Sequence, residues 1–182
     1  MGRRYDEIDD RVRSFLEKQH VFFVATAPLS AEGHINLSPK GLDTFRVVDA
    51  HTVAYLDLVG SGAETIAHLK ENGRIVLMFC AFDGRPSIMR LHGRGDVIEP
   101  DHHEFESLCA LFPSFPGVRA VIRVTCTRIS DSCGFGVPQM AYVDERPQLP
   151  RWCEQKGEEG LRKYQRDNNA RSIDGLPGVA PD

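Results

Sequence analysis

Between residues 21 and 129 the chain is cut into short apolar or alternating runs, and most follow one another with only a turn between. The run 21–28 is apolar and β-type, and Pro28 with the stretch 30–33 supplies a turn. Residues 34–38 then alternate, as a half-buried strand paired with the first would. Further strands are expected at 52–59, 74–82, 87–99 and 119–129, while 42–51 is ambiguous, a strand there packing Phe45, Val47 and Val48. Successive strands without a regular βαβ rhythm argue against a doubly wound sheet. They predict a mainly β chain, a small antiparallel barrel of about six strands with peripheral helices.

Three segments read as helices inside the barrel region. Ile8, Val12, Phe15 and Leu16 form a narrow apolar stripe. Ala63, Ile66, Ala67 and Leu69 share a face of a second helix, which Asn72-Gly73 closes as a C-cap. A third helix is expected from Pro100 to Phe112, with Asp101 and Glu104 in its first turn. Beyond residue 150 the chain turns polar and weakly helical, then rich in Pro and Gly. The expected division is 1–150 for the barrel and 151–182 for a tail that packs on the barrel or on a dimer partner.

Composition narrows the function. Lys and Arg number 22 against 26 Asp and Glu, a formal net charge of −4, which argues against a dedicated nucleic-acid binder. No apolar run approaches the roughly 20 residues of a membrane helix, and the first fifteen residues lack a signal-peptide core, so the expected location is the cytoplasm with no membrane partner. The five cysteines are odd in number and nowhere spaced C-x-x-C; they read as reduced thiols, mostly buried.

Few segments carry chemistry. Gly60-Ser61-Gly62 between a strand and a helix is an incomplete dinucleotide fingerprint, because Thr65 stands at the third glycine. The same residues read as a capping box, Ser61 at the N-cap and Glu64 three residues on. Two glycines also leave backbone open to a phosphate or a ring. Lys40, after Ser38-Pro39, is a cation beside a hydroxyl and a glycine. Arg90, His92 and Arg94 fall on one strand face and would suit an anion or plain solvent equally. The run 101–104 holds two histidines and two carboxylates, but neighbouring histidines on a helix point apart, so no metal site is assigned. Cys133 lies in a loop with no base evident beside it.

The order of these segments resembles the FMN-binding split-barrel family that includes pyridoxamine 5′-phosphate oxidase. The likeness covers roughly residues 5–130 and is most specific over 52–98, in the Asn72-Gly73-Arg74 step after the helix and in Gly93-Arg94-Gly95. The tail resembles that of an oxidase-related bacterial branch. The resemblance implies a six-stranded antiparallel split β-barrel, a homodimer, and FMN at its interface with a small-molecule substrate or electron donor. Carried onto this chain, the cofactor-binding positions are Ser38 and Lys40 at a strand end; Tyr55, Leu56 and Asp57 beside the flavin; Ser61, Gly62 and Thr65 at the helix start; and Ser87, Ile88 and Arg90 on the next strand. The oxidases carry Arg-Lys at the helix start where this chain has Gly62-Ala63, and their C-terminal substrate-gripping pattern is missing. No side chain is assigned as catalytic acid or base. The deazaflavin F420 is the alternative cofactor, and a non-catalytic flavin or heme carrier is the alternative role.

Overall fold

The computed structural model describes residues 2–179. Its elements are β1 (Arg4–Tyr5), α1 (Asp10–Glu17), β2 (Phe22–Thr26), β3 (Asn36–Lys40), β4 (Phe45–Val47), β5 (Thr52–Leu58), α2 (Glu64–Asn72), β6 (Arg74–Cys80), β7 (Ile88–Ile98), α3 (Phe105–Cys109), β8 (Val118–Ser132) and α4 (Gln148–Asn168). Seven strands form one curled sheet in the order β3-β2-β6-β7-β8-β5-β4, and β1 pairs with β8 off that path. Every pairing between these strands is antiparallel. The expected split barrel is therefore the observed fold, with seven strands in the path rather than six. The additional strand, β4, falls in the ambiguous stretch 42–51. It has only three residues, too few for alternation to declare itself.

Alternation sends Phe22, Val24, Val53, Tyr55, Leu77, Phe79, Leu91, Ile122 and Val124 into a common core. Full burial of such a side chain contributes roughly 1.5–3 kcal/mol. Helix α1 adds Val12 and Leu16, and its N-cap Asp9 accepts the Val12 amide at 2.8 Å. Helix α2 adds Ile66 and Leu69. It ends at Gly73, whose φ of 70° is the left-handed conformation glycine adopts at least cost. The outer face of β5 and β8 carries Ala54, Leu56 and Val121, covered by Phe112 and by Phe105 and Leu108 of α3.

Two helix expectations change. Helix α3 starts at Phe105, not Pro100, because the chain first spends two turns, His102 N–H to Glu99 O and Phe105 N–H to His102 O, both 2.9 Å. The capping box at α2 does not form. The helix begins at Glu64, and Ala63 stands at the cap with no side-chain bond. Arg119 has taken the Gly62 carbonyl at 2.8 Å, which holds residues 60–62 outside the helix.

Helix α4, interrupted at Gly157 (φ 63°), lays Cys153 and Leu161 near Val59. The following residues fold back over α2. Asn169, fully buried, donates from Nδ2 to Gly60 O at 2.9 Å, and Lys70 Nζ donates to Gly178 O at 2.7 Å. Asp174 Oδ2 accepts the His34 amide at 2.8 Å.

Candidate functional site

A groove of about 770 Å³ opens beside the end of β3, within the usual size range of small-molecule pockets. Ser38 and Lys40 of β3 form one wall, and Leu56, Leu58 and Gly60–Gly62 form the next. Arg119 of β8 and the irregular stretch containing Tyr142 and Glu145 complete it. Tyr142 lies flat on His20 at the entrance, ring centroids 3.6 Å apart and planes within 8°.

An ionic trio stands against this groove. Lys40 Nζ donates to Asp57 Oδ1 at 3.0 Å. Arg119 donates to Asp57 Oδ2 from Nε at 2.9 Å and approaches it from Nη2 at 2.7 Å. Side-chain exposure is 0% for Asp57, 4% for Arg119 and 20% for Lys40. Burial alone pushes the Asp57 carboxyl up; Lys40 and Arg119 outweigh it and hold the carboxyl below its ordinary value. Two cations on one carboxylate leave one surplus positive charge. Lys40 is the member that reaches solvent, and only one of its three N–H donors is engaged with Asp57.

Arg119 reaches the groove through a β-bulge. Asp57 pairs with Ala120 and Leu58 with Val118, so Arg119 is the extra residue between them. Bulges re-aim a side chain in this way. Strict alternation cannot place a residue that falls out of register, which is why the sequence pattern misses Arg119. His20, Tyr142 and Glu145 were missed too, since they lie in turns and coil with no periodic signal.

The expected site residues separate into groups. Ser38, Lys40, Leu56, Ser61 and Gly62 line the groove, and Asp57 lies directly behind it. The Ser38 hydroxyl is turned onto Asn36 Oδ1 at 2.9 Å. Tyr55 is buried in the core; its hydroxyl has no partner among the described residues, and burial, then Asp57, pushes its pKa well above the usual phenol value. Thr65 is buried on α2 and accepts from Asn36 Nδ2 at 3.0 Å. Asn36 also donates to Thr26 at 3.2 Å, and Thr26 Oγ1 meets His68 Nδ1 at 2.9 Å. Burial pushes the His68 pKa down, and its Nε2 has no partner among the described residues. Ser87 lines a different cleft, whose lining shares no residue with the groove. Ile88 and Arg90 line neither; Arg90 Nη1 donates to Ser132 Oγ at 2.9 Å.

Glu64 works against an anion. A Cβ at position 62 would collide with its carboxylate, so the Glu64 side chain folds over Gly62 at the start of α2. Its Oε1 also accepts from the Ile173 amide at 3.3 Å. Outside the groove, the His102 and His103 rings stack 4.4 Å apart, because they leave a turn rather than the expected helix. Glu104 beside them is held by Arg123 Nη1 at 2.9 and 3.0 Å.

The curled antiparallel half-barrel is that of a split barrel, with a cation-bearing groove beside β3. Comparison with known proteins agrees. The family described as Pyridoxamine 5'-phosphate oxidase matches residues 8–133, more than half of the chain. The pyridoxamine 5'-phosphate oxidase family protein ustO of Aspergillus flavus is 41% identical over 192 aligned residues, 96% of this chain and 77% of that protein. The chain belongs to the pyridoxamine 5'-phosphate oxidase family. Among solved structures, HupZ of Group A Streptococcus shares the fold with a TM-score of 0.56 at 19% identity, over 74% of this chain and 99% of that one. A FAD-binding protein of Mesorhizobium loti superposes with a TM-score of 0.50 at 12% identity, over 72% and 95% of the two chains.

Proposed function

We propose that this chain is a flavoprotein of oxidoreductase type that takes FMN in the groove beside β3. The observation that carries the reading is the Lys40–Asp57–Arg119 trio, a built positive site on the wall of a ligand-sized groove in a member of this family. The residues present fit the cofactor. Lys40 offers N–H donors for a phosphate, and the Ser61 hydroxyl lies on the same groove. Leu56 and Leu58 give an apolar wall, and Gly60 has no heavy atom within 4 Å of where a Cβ would stand. Glu64, with Asp144 and Glu145 on the same lining, opposes a phosphate.

When bound, the flavin supplies hydride or electron transfer. The chain's own residues bind and orient it. Lys40 and Arg119 supply positive charge, Asp57 fixes both cations, and the His20–Tyr142 stack walls the entrance against water. The reading includes a homodimer, supported by the edge strand β3, where Leu37, and Ile35 just before the strand, stand in solvent. Sedimentation velocity tests that element.

The decisive experiment is a visible absorption spectrum of the purified chain, repeated after addition of FMN and exhaustive dialysis. A retained flavin spectrum is expected. A colourless protein that refuses FMN overturns the reading, and parallel titrations with F420 and heme then identify the replacement. Lys40→Ala is expected to weaken FMN binding by about 1.5–3 kcal/mol, the value of a charge-assisted hydrogen bond. An unchanged dissociation constant removes Lys40 from the site.

A further inference from the structure

The cleft that holds Ser87 has an unusual lining. Its volume is about 420 Å³, and Arg3, Arg11 and Arg85 stand around it. One carboxylate faces them, that of Asp131, and it is already engaged. Its Oδ1 accepts the Arg3 amide at 2.6 Å and its Oδ2 accepts the Tyr5 hydroxyl at 2.7 Å. Three arginines against one carboxylate leave a surplus of two positive charges. The floor is apolar, with Val12 and Met89 buried and Phe15 half-buried. Phe135, 82% exposed, stands on the rim.

The cleft also has a built polar edge. Arg90 donates to Ser132 Oγ at 2.9 Å, and Ser132, which lines the cleft, keeps its own O–H as a donor. Ser87 lines it from the residue before β7, beside Ser132 at the same end of the β7–β8 ladder. Gly134, at φ 67°, seats the turn that carries Cys133 and Phe135 directly on the Ser87 backbone, where a Cβ would meet Ser87 N at 2.8 Å. The two halves of the cleft are thus fixed against each other.

We propose that this cleft is a second ligand site, for a small organic anion with a flat apolar body, such as an aryl carboxylate. The carboxylate meets the guanidinium groups of Arg11 and Arg85 and the Ser132 hydroxyl, and guanidinium suits a planar carboxylate. The apolar body lies between Phe15 and Phe135. The proposal is independent of what occupies the groove beside β3.

Naphthoate serves as the probe, with naphthylmethanol as the uncharged control, in an amide NMR titration of the full chain. Saturable shifts are expected at residues 11–15, 85–89 and 131–135, with the control at least tenfold weaker. Arg11→Gln and Arg85→Gln, both at exposed positions that leave the core intact, are each expected to weaken naphthoate roughly tenfold, the scale of one charge-assisted hydrogen bond. Shifts centred on Lys40 and Ser61, equal binding of the control, no effect of either substitution, or no saturation at millimolar probe each overturn the proposal.

Discussion

Arg119 and Asp57 form a buried pair, 4% and 0% exposed, in which the guanidinium holds Asp57 Oδ2 at 2.7 Å while its other arm holds the carbonyl of Gly62 at 2.8 Å. One side chain therefore ties the C-terminal end of β5 to the loop that rims the groove. Removing either member strands a charge in a low-dielectric interior. Asp57→Asn and Arg119→Met are each expected to cost about 3–5 kcal/mol of stability. Lys40→Met should cost clearly less, because Lys40 is partly solvated and Asp57 keeps Arg119. Urea unfolding of the three variants checks the ranking; a Lys40 variant as unstable as the other two would contradict it.

Glu64 places a carboxylate over Gly62 at the start of α2, where an anion is otherwise favoured. Glu64→Gln is expected to tighten binding of FMN by about 0.3–1 kcal/mol, with the gain shrinking as salt rises. Titration at low and high ionic strength measures it. Weaker binding would mean that the carboxylate itself contacts the ligand.

His68 makes the stability of the fold sensitive to mild acid. Burial depresses its folded pKa, so below the ordinary value of about 6.5 the unfolded chain takes up a proton that the folded chain resists. Its contribution is fully present above that value and is lost as pH falls towards the folded pKa. Asp57, also depressed, acts only lower, below about 3.9. The melting temperature is expected to fall between pH 7 and 5, and His68→Gln should flatten that slope. His92, depressed by burial and by Arg128 and Arg90, adds to the slope and leaves a remainder in the variant.

The thiols should separate by reactivity. Cys133 is exposed, whereas burial raises the pKa of Cys80, Cys109 and Cys153 and pushes Cys126 up to about 11. A native titration with a disulfide reagent is expected to show one fast thiol, which Cys133→Ser abolishes. A second fast thiol in that variant would show that one of the covered cysteines opens readily.

The strands were legible because each carries its own signal. The apolar run 52–59 appears as β5, the alternation through 119–129 as β8, and the apolar run 74–82 as the central β6. Two-residue β1 and three-residue β4 are too short to show a period. At the groove, Lys40 and Ser61 were marked by glycines and a strand end. Arg119 was hidden because a bulge breaks the alternation that otherwise sorts residues between faces. Ser87, Ile88 and Arg90 were placed beside the flavin by the family resemblance alone; here they stand on β7 and the residue before it, off the lining of the groove.

Asn169 grips the carbonyl of Gly60 from more than a hundred residues away, and Ile173 holds Glu64 beside it. The rim of the groove is therefore finished by residues that follow every strand of the sheet in the chain. A chain whose strands have all paired still presents a rim without its fastening until residues 169–173 dock, so the groove takes its final shape only after the sheet is complete.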